Sequence, residues 1–256
     1  MSDTLLRVDG LVMRYGDHLA VGGVAFDVRT GEVVSIVGPS GAGKTTVLRV
    51  AAGLLEATGG TVTIDGEPVA GPPADVAVVF QDYSRSLLPW LTALGNVTLP
   101  LRAKGRSRGD ARSAGLEALA AVGLAGVSRK RPRQLSGGMQ QRVAIARALA
   151  YQPKLLLMDE PFASVDAQTR MDLEDLIRPL RDEYGVTILL VTHDIDEAVY
   201  LSDRIVVLSS APATVLRVID VDLPLPRSQT ATKEQPAFGR LRHEVLDLVR
   251  LRPTSA

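Results

Sequence analysis

The 256-residue chain contains no cysteine. No disulfide can form, and neither a Cys-built metal site nor an iron–sulfur cluster is possible. The absence fits a reducing compartment. Aromatic residues make up only 4%, with a single Trp at position 90. No sign of charge dominates, since Lys plus Arg and Asp plus Glu both number 29. Proteins that bind a phosphate backbone usually carry a basic excess, so nucleic acid is not expected as a partner. Long apolar runs are missing too. Spanning a bilayer takes about 18 consecutive apolar residues, whereas the longest candidates, such as 186–191, have the length of a buried strand. The opening MSDTLLRVDG lacks the apolar core of a signal peptide. A role at a membrane would therefore need a second polypeptide that spans it.

What is present is apolar content of 46%, enough for one large domain with or without an insertion. Runs at 32–37, 76–80, 155–158, 186–192 and 204–208 read as buried strands, most of them parallel. Helical patterns at 44–53, 168–183 and 194–201 follow several of them. This alternation predicts an α/β sheet with helices on both faces. The N-terminal part instead shows strand–turn units with Gly and Asp at the turns, as in antiparallel sheet. Residues 86–150 lack strands and read as an inserted helical subdomain. Residues 221–236 hold three Pro and read as a linker or ordered loop. Leu241, Val245, Leu248 and Val249 then recur at helical spacing. The expected organisation is a domain over 1–220 and a C-terminal extension over 221–256 with a short helix.

Three motifs carry chemistry. Gly38-Pro39-Ser40-Gly41-Ala42-Gly43-Lys44-Thr45-Thr46 matches G-x-x-x-x-G-K-[ST], with a strand before it and a helix after. Its glycines let backbone N–H groups curl around phosphate oxygens, and the helix adds its positive end. Lys44 is placed for β- and γ-phosphates and the Thr45 hydroxyl for Mg²⁺. The pattern therefore predicts a nucleoside triphosphate and Mg²⁺ as ligands. Leu155 to Met158 form a buried strand that ends in Asp159 and Glu160. Alone, such an acid pair is more often a helix cap. Beside a phosphate loop, Asp159 fits a Mg²⁺ ligand and Glu160 a general base for water. The third motif is Leu135-Ser136-Gly137-Gly138-Met139-Gln140-Gln141-Arg142, where Ser136 reads as an N-cap and two glycines leave helix N–H groups open to an anion. On local physics alone a plain capped helix is the favoured reading.

LSGGMQQR resembles the signature motif of ABC transporter ATPases, and the remaining motifs follow in that family's order. Tyr15 resembles the aromatic residue that stacks on adenine. Gln81 resembles the Q-loop glutamine, a ligand to Mg²⁺ or the attacking water. Ser164-Val165-Asp166 resembles the D-loop, with Val165 where the family more often has Leu. His193 resembles the switch histidine at the γ-phosphate. The resemblance covers about residues 4–220. It implies a RecA-like P-loop core with an N-terminal antiparallel subdomain and an inserted helical one. It further implies a head-to-tail homodimer in which Ser136, Gly137, Gly138 and Gln140 of one chain contact ATP held by the other.

Transmembrane permease subunits and an extracytoplasmic binding protein are the implied partners, at the cytoplasmic face of the membrane. The segment 84–92, with Leu87, Leu88 and Trp90, corresponds to the family's permease-docking region. Its LLPWLT wording is similar to ATPases of the nitrate/sulfonate/taurine importer group. A cytosolic scaffold, or an ABC ATPase working on DNA or ribosomes, is the competing expectation. The latter usually carry coiled-coil insertions, Cys-bound zinc or two cassettes in one chain. The basic clusters at 102–112 and 129–133 read as a solvated face, having no interleaved aromatics.

Overall fold

The computed structural model describes residues 4–82 and 86–250. A twelve-residue strand β1 (Thr4–Tyr15) turns back at Gly16 into β2 (His18–Arg29), and β4 (Gly59–Ile64) and β5 (Glu67–Pro68) complete an antiparallel sheet in the order β2-β1-β4-β5. A second sheet contains β3 (Val33–Val37), β6 (Val76–Val79), β7 (Leu155–Asp159), β8 (Thr187–Val191), β9 (Arg204–Leu208) and β10 (Val215–Asp220). Its order is β10-β9-β3-β8-β7-β6, parallel throughout except at β10. All five residues of β3, β7, β8 and β9 are buried. That is why these strands read as unbroken apolar runs: both faces of the sheet are covered.

One face carries the antiparallel sheet and α1 (Lys44–Ala51), and its core joins Leu6, Leu11, Val28, Ile36, Leu48 and Leu189. The other face carries the remaining α-helices of the described residues, with a core that includes Leu119, Ile145, Leu156, Phe162, Leu173 and Tyr200. Between β6 and β7 lie α2 (Ala93–Ala103), α3 (Arg108–Ala121) and α4 (Gly137–Ala150). The chain then adds α5 (Ala167–Tyr184), α6 (Ile195–Leu201) and α7 (Pro236–Arg250). Each fully buried Leu or Ile in these cores contributes about 1.5–3 kcal/mol.

The segment that reads as a linker in the sequence is tied down. Arg227 donates to the Tyr200 carbonyl at 2.6 Å and to that of Ser202 at 2.8 Å, covering the carbonyl end of α6. Burial beside Arg178 pushes the Arg227 guanidinium down to about 10. From there α7 packs Phe238 and Val245 into the helical core.

Candidate functional site

Three neighbouring strand ends build the site. Ile36 of β3 and Asp159 of β7 both lie opposite Val191 of β8. The loops that leave at Gly38, Glu160 and Thr192 therefore emerge side by side, at the carboxyl edge where α/β sheets bind ligands. Two bonds extend the ladder past the strands: Glu160 N donates to Val191 O at 2.8 Å, and Thr192 N donates to Ile36 O at 3.2 Å.

The Gly38–Gly43 loop is shaped by positions where a side chain does not fit. A Cβ on Gly38 would sit 2.9 Å from the Leu208 carbonyl, and one on Gly43 2.9 Å from Val21. Gly43 has φ +76°, in the left-handed region that glycine adopts freely. It starts α1 with no side-chain cap, so the free N–H groups of the first turn have no side chain competing for them. Lys44 folds back over this loop, donating from Nζ to Gly38 O at 2.8 Å and Pro39 O at 3.0 Å. Burial pushes its ammonium below the usual lysine value, against the pull of Glu160 and Asp159.

A cleft of about 380 Å³ opens above the loop, walled by Ser40, Gly41, Ala42, Gly43, Lys44, Thr45, Thr46, Tyr15 and Glu160. His18 and Ala20 line it as well. The sequence offered no sign of them, because they reach the cleft only through the β1–β2 hairpin. The Tyr15 hydroxyl lies 3.3 Å from Thr46 Oγ1, and its ring is half exposed at the mouth.

Asp159 and Glu160 are adjacent yet differently housed. Asp159 is buried and accepts from Thr45 Oγ1 at 2.9 Å. Burial raises its carboxyl, and the Thr45 bond opposes that shift. Glu160 has φ +44°, a left-handed conformation that costs a non-glycine residue about 1–3 kcal/mol. The turn brings its Oε2 to 3.1 Å from Gln81 Nε2 and 3.2 Å from His193 Nδ1. So Gln81, Glu160 and His193, from three separate loops, meet at one carboxylate oxygen.

Residues 136–140 lie elsewhere and contribute nothing to the walls of that cleft. Ser136 caps α4 by accepting from Met139 N at 3.3 Å. Gln140 turns inward, donating to the Pro132 and Leu135 carbonyls at 3.1 and 3.2 Å. Gly138 abuts α5: a Cβ there would be 2.2 Å from Thr169 Cγ2. Asp166 caps α5, accepting from Thr169 N at 3.0 Å and Thr169 Oγ1 at 2.7 Å, and these bonds hold its carboxyl below the usual range. The site residues expected from sequence thus fall on two surfaces of one chain.

The expected docking segment needs a correction. Ser84 and Arg85 lie outside the described residues. Leu87 is only 1% exposed and packs into the helical core with Ala93 and Val97, so it presents nothing to a partner. Leu88 is half-buried and Trp90 is 66% exposed. Sequence reasoning missed the nearby apolar groove of about 320 Å³ lined by Leu54, Pro73, Phe80, Pro100, Arg147 and Tyr151. The signal available was Phe80, a large apolar residue just beyond the edge strand β6.

The ABC transporter family matches residues 21–163. The chain belongs to it. The nitrate transport protein NasD of Klebsiella oxytoca is 41% identical over 250 residues, covering 94% of this chain and 95% of its own. The bicarbonate transport ATP-binding protein CmpC of Synechocystis is 44% identical over 234 residues, 90% of this chain but 35% of that longer protein. The dimeric ATP-binding cassette MJ0796, solved in a post-hydrolysis state with ADP and phosphate, superposes with a TM-score of 0.74 at 35% identity, covering 85% of this chain and 99% of that one. The chain is therefore an ATP-binding, ATP-hydrolysing cassette of the ABC transporter family. Among the described residues no helix is long and apolar enough to cross a membrane.

Proposed function

We propose that this ABC cassette powers uptake of a small anion, of the nitrate, sulfonate or taurine kind, from the cytoplasmic face of a membrane. What supports the substrate class is the LLPWLT wording after Gln81, together with the nitrate and bicarbonate transport named for similar proteins. An extracytoplasmic binding protein would deliver that anion to the permease.

The reading of the chemistry rests on one observation, the convergence of Gln81 and His193 on Glu160 Oε2. ATP lies with its phosphates on the Gly38–Thr46 amides and its adenine against Tyr15. Lys44 gives up the Gly38 and Pro39 carbonyls for β- and γ-phosphate oxygens, which as anions accept more strongly. Thr45, Asp159 and Gln81 supply hard oxygen donors. Among the described residues no group of three or more His, Asp or Glu is placed to hold a metal ion. Such a partial shell suits Mg²⁺, which takes one or two carboxylates and completes its coordination from phosphates and water. When bound, Mg²⁺ neutralises charge on the β- and γ-phosphates.

Glu160 takes the proton of the attacking water, Gln81 orients that water, and His193 contacts the γ-phosphate. Ser136, Gly137 and Gly138 of a second copy close the site from the other side, a reading supported by the separation of the two surfaces. Gln140 acts there through the loop it braces. The groove beside Phe80, together with exposed Trp90 and half-buried Leu88, takes an apolar cytoplasmic helix of the permease. Trp90→Glu should weaken co-purification with the permease and leave ATP binding intact; unchanged recovery removes Trp90 from that surface.

Glu160→Gln tests the mechanism. Gln keeps the volume and an acceptor oxygen but cannot take a proton. Hydrolysis should fall about 10²–10⁴-fold, while ATP binding survives and a Mg-ATP dimer accumulates on size-exclusion chromatography. A rate near wild type would show that Glu160 is not the base.

A further inference from the structure

His193 is 60% exposed, and the contact that fixes its ring is the one to Glu160. Its placement must therefore come from the backbone on either side, and that backbone is tied down by side chains. Before it, the Thr192 hydroxyl accepts from Asp194 N at 2.9 Å. After it, Asp194 Oδ1 caps α6, accepting from Asp196 N at 3.0 Å and Glu197 N at 3.2 Å. The other oxygen, Oδ2, accepts from Arg170 at 3.1 Å. Arg170 stands on the first turn of α5, the helix that Asp166 caps and that Gly138 touches through Thr169.

Two almost wholly buried carboxyl groups, Glu174 and Glu197, lie close by; burial raises both, and the charge of Arg170 opposes that shift. Glu174 has other partners, Gln229 at 2.9 Å and Lys233 at 3.6 Å. Glu197 Oε1 has no hydrogen-bond partner. Arg170 and Asp194 are each only about a third exposed, and Asp194 is already pinned by the two backbone N–H groups it accepts from. That makes the Arg170–Asp194 contact stiffer than a surface ion pair.

We propose that Arg170 is a positioning residue for His193. Through Asp194 it locks the loop bearing His193 to the start of α5, so that His193 meets the γ-phosphate when the D-loop end of α5 is seated. This rests on the assignment of His193 given above. Arg170 lines no wall of the Gly38–Thr46 cleft and acts only through the loop.

The test is ATP hydrolysis by the full chain with Arg170→Met, Arg170→Lys, Asp194→Asn and His193→Ala, and with Arg170→Met combined with His193→Ala. Arg170→Met should lower kcat about 10- to 100-fold with KM for ATP nearly unchanged, the sign of an interaction made only on the way to the transition state. Asp194→Asn keeps the helix cap through its amide oxygen but loses the ion pair, so kcat should fall in the same sense by less. Arg170→Lys should restore part of the loss. The double variant should be no slower than His193→Ala alone, because residues acting through one another are not additive.

Normal kcat in Arg170→Met, with His193→Ala slow, overturns this inference and leaves the role of His193 standing. Multiplicative losses in the double variant overturn it as well, since they mean that Arg170 acts by general stabilisation. Normal turnover in His193→Ala removes the assignment of His193 and this inference with it.

Discussion

Two helices of this cassette begin beside glycines, and they begin differently. α1 starts at left-handed Gly43 with no side-chain cap, and its first turn opens onto a cleft already walled by Lys44, Thr45, Tyr15 and Glu160. α4 starts at Ser136, whose hydroxyl accepts from Met139 N, and it lies outside the walls of that cleft. One helix start is half of a site that its own chain largely completes. The other is satisfied locally, and in the proposed dimer it would meet the ATP held by a second copy. The same backbone physics, free N–H groups at a positive helix end, would then serve binding in the first case and closure in the second.

Lys44→Ala attacks the first helix start alone and should have the largest effect. It removes the cation expected at the β- and γ-phosphates. Two charge-assisted hydrogen bonds of about 1.5–3 kcal/mol each correspond to roughly 10²–10⁴ in ATP affinity. Titration of the purified variant checks this, and near-normal affinity would contradict the placement of the phosphates on this loop. Ser136→Arg attacks only the second. The variant should fold and bind ATP normally, since nothing in the cleft changes, yet it should neither form the Mg-ATP dimer nor turn over. Hydrolysis by a stable Ser136→Arg dimer would mean that the two surfaces do not meet.

Much of this contrast was legible in the sequence. The Gly38–Thr46 loop, the Asp159–Glu160 pair and the buried strands before them follow from composition and period, because each is contiguous in the chain. The meeting of Gln81, Glu160 and His193 was legible only through the family resemblance, since it depends on β6, β7 and β8 lying side by side in one register. Leu87 was misassigned to the docking face for a related reason. In an irregular turn no period tells which side chain points inward, and Leu87 fills the helical core while Trp90 points out. The edge strand β10 escaped notice because just one of its six residues is buried. The hold of Arg227 on the end of α6 has no local signature at all.

Ser136→Ala should give the smallest effect and sharpens the comparison most, because α1 has no equivalent side chain to remove. Losing an N-cap hydroxyl costs about 1 kcal/mol in a typical helix. The Met139 bond is long at 3.3 Å, and α4 is anchored independently by Val143, Ile145 and Leu149 in the core. The loss should therefore sit at or below that value, lowering Tm by about 2–4 °C. Melting must be followed without nucleotide, since ATP-linked dimerisation would add stability of its own and mask the change. If Ser136 serves only as a cap, hydrolysis by Ser136→Ala should stay near wild type at a temperature where the protein is fully folded. If its hydroxyl also reaches the partner's ATP, turnover should drop by more than the stability loss accounts for, with ATP affinity of the monomer unchanged. An unaltered Tm together with unaltered turnover would mean that the hydroxyl contributes neither to the helix nor to closure, and that the glycines alone make this helix end a nucleotide surface.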